Sequence, residues 1–125
     1  MTKKKILAVD DEMEMLSLLE KRLLASGYEV FTATNGKDAL GIARREHPDL
    51  IILDILMPEM DGSEMAARLH EDPKTKDIPI LFLTCLFTKR EELLEGHESG
   101  QNFFVAKPYE AKDLLNEIKS IIGKQ

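Results

Sequence analysis

The chain has no tryptophan, a single cysteine and few aromatic residues in its 125 positions. One cysteine, Cys85, excludes an internal disulfide and points to a reducing compartment. No apolar run approaches the roughly 18 residues that a membrane-spanning helix needs. The longest is a handful of residues around Leu50 to Leu53. Basic residues are in deficit, with 17 Lys and Arg against 23 Asp and Glu and a formal net charge of −6. That balance disfavours direct contact with nucleic acid or an anionic membrane, and leaves proteins and cations as the expected partners. No charged-then-apolar leader opens the chain, since MTKKK runs straight into ILAVDDE. The expectation is a cytoplasmic protein that starts at its true N-terminus. Repeats, low-complexity tracts and linkers are also missing.

What is present is an ordinary globular composition, 43% hydrophobic and 32% charged. At this length, one domain over residues 1–125 buries roughly two thirds of its unfolded surface. Two patterns alternate along it: short β-rich apolar runs, and longer segments whose apolar residues recur every three or four positions. The runs predict strands at Lys5 to Val9, Tyr28 to Thr34, Leu50 to Leu53, Ile78 to Leu83 and Phe103 to Ala106. Helices are predicted at about Glu12 to Ser26, Lys37 to His47, Ser63 to Glu71, Thr88 to Glu98 and Glu110 to Ile122. The last carries Leu114, Leu115, Ile118, Ile121 and Ile122, the stripe of a helix lying on a sheet. Gly27 reads as a helix stop, Asn35 and Gly36 as a turn, and Thr88 with Glu91 as a capping box. The pattern is (βα)5, an α/β fold with a parallel five-stranded sheet, right-handed crossovers and helices on both faces.

In such sheets ligands sit beyond the carboxyl ends of the strands. The first strand runs into Asp10, Asp11 and Glu12, the second into Thr34 and Asn35, the third into Asp54, the fourth into Thr84, and the fifth into Lys107 and Pro108. Clustered carboxylates at neutral pH need a hard cation, and oxygen-only ligands favour Mg²⁺ over zinc. A lysine and a threonine beside it complete a phosphate-sized anion site. An aspartate so placed is able to attack phosphorus and form an aspartyl phosphate. Phosphoryl transfer asks for little beyond positioning and charge neutralisation. Read singly, Asp10 and Asp11 are as well explained as caps of the first helix, Thr84 as a plain strand residue and Lys107 as a solvated charge.

The stretches ILAVDDE, LDILMPEMDG, PILFLT and FFVAKPY, in that order and over essentially the whole chain, resemble the receiver domains of two-component response regulators. The resemblance implies the flavodoxin-like strand order 2-1-3-4-5. It further implies Asp54 as phosphoacceptor, and Asp10 and Asp11, with Asp54 and the backbone carbonyl of Leu56, as ligands of Mg²⁺, for which Mn²⁺ substitutes. Thr84 becomes the switch hydroxyl, Lys107 the phosphate-binding lysine and Phe104 the switch aromatic, with Pro108 following a cis peptide bond. Met57, Pro58 and Gly62 match the loop after the acceptor. The implied partners are a histidine kinase or phosphotransfer protein and a downstream protein target. Signalling runs through the surface formed by the Thr88 to Glu98 segment, the fifth strand and the last helix, where two copies also pair. The protein is then a phosphoacceptor and not an enzyme.

Two competing readings fare worse. A haloacid dehalogenase-type phosphatase needs a second aspartate two residues after the nucleophile, where this chain has Leu56. A nucleotide-binding Rossmann module needs a glycine-rich turn where the chain has VDDE. Leu56 and Leu86 are both apolar and unable to orient an attacking water, so a long-lived phosphoryl group is expected. Cys85 and the methionines at 13, 15, 57, 60 and 65 are expected to pack in the interior, His47, His70 and His97 to lie on the surface, and KRLLASG and EDPKTKD to be solvated. With IIGKQ following the last helix, the expectation is a receiver without an output domain, either a stand-alone protein or a piece excised from a longer regulator.

Overall fold

The computed structural model describes residues 3–54, 62–84, 102–106 and 110–123. Five parallel strands form one sheet: β1 (Lys5–Val9), β2 (Glu29–Ala33), β3 (Leu50–Asp54), β4 (Ile80–Thr84) and β5 (Asn102–Ala106). Their order is β2-β1-β3-β4-β5, as the family resemblance implies. The helices α1 (Met13–Ala25), α2 (Gly36–Glu46), α3 (Gly62–Glu71) and α4 (Ala111–Ile122) connect or follow them. The predicted helix over Thr88 to Glu98 lies outside the described residues. Among the described residues no helix is long and apolar enough to cross a membrane.

Alternation along the strands sorts side chains into two cores. Leu7, Val9, Ile51, Leu53, Ile80 and Phe82 face α2 and α3, meeting Ala39, Ala43, Met65, Ala66 and Leu69. Ile6, Ala8, Leu50, Ile52, Leu81 and Leu83 face α1 and α4, meeting Leu16, Leu19, Leu23, Leu114 and Ile118. Because β1 and β3 are covered on both sides, they read in sequence as continuous apolar runs. Each fully buried Leu or Ile contributes roughly 1.5–3 kcal/mol. The edge strand β2 is more exposed, with only Ala33 buried.

Local chemistry sets the helix limits. Gly27, at φ 95°, follows α1, where its N–H reaches the Leu24 carbonyl and that of Tyr28 reaches Leu23, closing the helix as expected. Asn35 is the N-cap of α2 and not merely part of a turn. Its Oδ1 accepts the Asp38 N–H at 2.8 Å, and its Nδ2 donates to Asp38 Oδ2 at 2.9 Å. The same helix ends on His47 in the left-handed region, φ 48°, ahead of buried Pro48.

Several expectations are corrected. The fourth strand begins at Ile80, not Ile78, because Pro79 lacks an N–H for the ladder and instead offers its carbonyl to Ile51 at 3.1 Å. Thr75, inside the supposedly solvated EDPKTKD, is buried and donates its hydroxyl to the Leu69 carbonyl at 2.6 Å. Leu23 of KRLLASG is likewise in the core. Met65 packs inside as expected, but Met13 and Met15 are 74% and 46% exposed, being turned away from the sheet on α1. His47 lies on the surface as expected, and His70 is half-buried. Met57, Met60, Cys85 and His97 lie outside the described residues.

Candidate functional site

The register aligns the carboxyl ends of the strands along one edge. Val9 pairs with Ala33 on one side and Leu53 on the other, Asp54 with Leu83, and Thr84 with Ala106. Asp10, one step beyond Val9, and Asp54, one step beyond Leu53, therefore lie on neighbouring strands, which run about 4.8 Å apart. Thr84 ends the next strand and Ala106 the one after. The backbone thus gathers the positions of Asp10, Asp11, Asp54 and Thr84 at one end of the sheet, with β5 running into position 107. The side chains of Asp54, Thr84 and Phe104, and all of Leu56, Met57, Pro58, Leu86, Phe87, Lys107 and Pro108, lie outside the described residues.

Asp10 is the best-defined member. Its N–H donates to the Ala33 carbonyl at 3.2 Å, extending the β1–β2 ladder by one residue. The residue is only 6% exposed, and Oδ1 accepts the backbone N–H of Glu12 at 2.9 Å. The charge is thereby held at the mouth of the strand while the chain turns into α1. Glu12, not either aspartate, occupies the N-cap of α1, and its side chain makes no capping hydrogen bond. The capping reading of Asp10 and Asp11 is therefore true only in the sense that Asp10 braces the turn before the helix. Sequence reasoning missed that backbone contact, although an Asp two residues before a helix N-cap is its ordinary signal. Asp11 is half-buried beside it.

Whether these groups suit a metal is a matter of donor chemistry. Asp10 and Asp11 offer only hard carboxylate oxygens from a rigid strand end, the ligand type that suits Mg²⁺ or Mn²⁺ and not zinc. Among the described residues no three His, Cys, Asp or Glu side chains converge into a metal-binding group.

The opposite edge of the sheet carries charges with a different job. Lys5 N–H donates to Asp49 Oδ2 at 2.8 Å, and Asp49 N–H returns a bond to the Lys5 carbonyl at 2.8 Å. Lys5 Nζ sits 3.3 Å from the Glu46 carbonyl oxygen, 3.6 Å from its Oε1 and 5.9 Å from the Phe31 ring centre. The Arg45 guanidinium hydrogen bond, aided by Lys5, holds the Glu46 carboxyl below the usual carboxylate range. These groups lock the start of β1 to the end of α2. The end with functional potential is the carboxyl one.

Comparison with known proteins agrees with this geometry. Residues 6–119 match the family model described as the response regulator receiver domain. A protein of Cyanophora paradoxa named probable transcriptional regulator ycf27 is 43% identical over 122 residues, covering 98% of this chain and 49% of that protein. The chain spans about half the length of the first curated relatives it matches. Chemotaxis protein CheY4 of Vibrio cholerae superposes with a TM-score of 0.87 at 30% identity, covering 96% of this chain and 99% of the other. The receiver domain of a sensor histidine kinase from Pseudomonas aeruginosa PAO1 gives a TM-score of 0.85 at 28% identity, covering 98% and 100% of the two chains. That structure has a magnesium ion coordinated in its active site cleft.

Proposed function

The chain belongs to the response regulator receiver domain family, and from that premise we propose that Asp54 accepts a phosphoryl group from a histidine kinase or phosphotransfer protein in a Mg²⁺-dependent reaction. The observation that carries this reading is the register. It puts Asp54 at the carboxyl end of a central strand, one neighbour away from the buried carboxylate of Asp10. A strand-end carboxylate in that company needs a cation and hydrogen-bond donors, and a phosphoryl group needs the same surroundings.

A carboxylate oxygen of Asp54 attacks phosphorus in line as the bond from phosphorus to the donor imidazole breaks, and the electron pair leaves with the imidazole. Lys107 acts as a point charge on the phosphoryl oxygens. Asp11, Asp54 and the Leu56 carbonyl would hold the metal directly and Asp10 mainly through a bound water. When bound, Mg²⁺, or Mn²⁺ in its place, supplies charge neutralisation at the transferring group. Asp10, braced by the Glu12 N–H, contributes a fixed charge with little reorganisation. The new phosphate then draws the Thr84 hydroxyl inward, and Phe104 turns into the space vacated. The altered surface formed by positions 88–98, β5 and α4 is read by a downstream protein target, and two copies pair through it. Residues 1–125 act as one receiver unit, a phosphoacceptor that assists its own phosphorylation and dephosphorylation without turning over a substrate. Apolar Leu56 and Leu86 leave the phosphoryl group long-lived.

Intact mass after incubation with acetyl phosphate and Mg²⁺ tests the reading. One added phosphoryl group is expected on the wild type and none on Asp54→Ala. An unlabelled wild type, or equal labelling of the variant, would defeat it.

A further inference from the structure

Every large apolar residue that is markedly exposed among the described residues lies on α1: Met13 at 74%, Leu24 at 52%, Met15 at 46% and Leu18 at 44%. Apolar side chains gathered on one element and left in water mark an interaction surface more often than scattered ones do. The helix buries Leu16, Leu19 and Leu23 against the sheet. With 3.6 residues per turn, Glu14 and Lys21 fall about 180° from that stripe, with Ser17 and Leu18 on either side of their line. Met13, Glu14, Ser17, Leu18 and Lys21 line one shallow, open groove, to which no other element contributes. Neither Glu14 nor Lys21 makes an ion pair among the described residues.

The arrangement is self-complementary. Glu14 and Lys21 carry opposite charges about 10 Å apart along the axis, with Ser17 and Leu18 midway between them. We propose that a second copy of this chain docks on this face, the two α1 helices packing antiparallel about a two-fold axis that passes beside Ser17 and Leu18. That symmetry places Glu14 against the partner's Lys21, and Lys21 against the partner's Glu14. Leu18 meets the partner's Leu18, and Met13 falls within about 3 Å, along the axis, of the partner's Leu24. Met15 lies off this seam. A parallel arrangement would instead set Glu14 against Glu14 and Lys21 against Lys21, so the charges select the antiparallel one. A single helix pair buries less than the roughly 1,000 Å² of a lasting interface, so the dimer is transient and concentration-dependent.

Sedimentation velocity on the unphosphorylated 125-residue chain, from about 10 μM to about 1 mM, tests it, affinities in this range being typical of small interfaces. The wild type is expected to shift from monomer toward dimer across the range. Glu14→Lys alone and Lys21→Glu alone each weaken association about tenfold or more, since each creates like-charge contacts twice over. An equimolar mixture of the two single variants associates again, because each supplies the charge the other now faces, and so does the double variant E14K/K21E. Leu18→Glu stays monomeric, with circular dichroism unchanged to confirm its fold. A wild type that remains monomeric throughout overturns the proposal. So does a dimer indifferent to Glu14→Lys, or a mixture no better than its components. If wild type stays monomeric while Leu18→Glu slows phosphotransfer from a kinase, the face belongs to a phosphodonor helix and the self-association is refuted.

Discussion

Replacing Thr75 by valine removes one hydroxyl from a site with no room to compensate. The side chain is 1% exposed, and Oγ1 donates to the Leu69 carbonyl at 2.6 Å, with a second contact to Asp72 at 3.5 Å. The Leu69 carbonyl is one of the last in α3, where intrahelical donors run out. Valine keeps the volume, so no cavity forms. The cost is that of leaving a buried acceptor unsatisfied, about 1–3 kcal/mol. At about 4 °C per kcal/mol for a domain of this size, that corresponds to a fall of roughly 4–11 °C in Tm. Thr75→Ser keeps the hydroxyl and loses one methyl, at a cost of about 1 kcal/mol. Thermal and urea unfolding of the three proteins, with Asp54 labelling by acetyl phosphate as a check on function, measure the difference. If valine proves as stable as the wild type, the hydroxyl does not serve the helix end and the account of this connection is wrong.

Asp11→Asn should weaken Mg²⁺ binding by about tenfold, the cost of one charged oxygen ligand, with little change in the Tm of the metal-free protein; titration calorimetry measures it, and unaltered affinity removes Asp11 from the metal set. Glu46, held below its ordinary value of 4.5 chiefly by Arg45, favours folding above pH 4.5 and loses that contribution as pH falls through its depressed value. The Tm gap between wild type and Glu46→Gln should accordingly be present at neutral pH and close in acid; a gap that widens in acid contradicts the assignment. Tyr28, 1% exposed and with its hydroxyl 3.5 Å from the Gly123 carbonyl, is raised above 10.0 by burial, so it costs stability only as pH rises past 10. Tyr28→Phe should flatten the alkaline loss of Tm, and an unchanged alkaline limb would mean another group is responsible.

Much of the fold was legible before any coordinates. Apolar runs that need no alternation mark strands covered on both faces, and Leu50 to Leu53 is such a run because β3 is central. The i, i+4 stripe of α4 is equally direct, with Leu114 and Ile118 turning inward. What the pattern misjudged were residues whose environment is set by how the chain packs around them and not by residue type. Thr75 looks solvated among charges, and only the arrival of the α3 terminus beneath it makes it a buried donor. Met13 looks like packing, since methionine usually packs, yet the core side of α1 was already filled by Leu16, Leu19 and Leu23.

The candidate site divides the same way. Residue type and strand-end position were enough to nominate Asp10, Asp11, Asp54, Thr84 and Lys107, because a carboxylate at the end of an apolar strand is costly without a cation or donor. Sequence alone determined which chemistry those groups suit, through their oxygen donors and charge. The tertiary structure decided that Asp10 and Asp54 are neighbours, though 44 positions apart in sequence, because only the insertion of β3 beside β1 brings those ends into register. It also decided that Asp10 is buried and braced by Glu12, and that one side of α1 remains outside the core: hydrophobic pattern states which residues seek cover, and the shape of the sheet determines which of them find it.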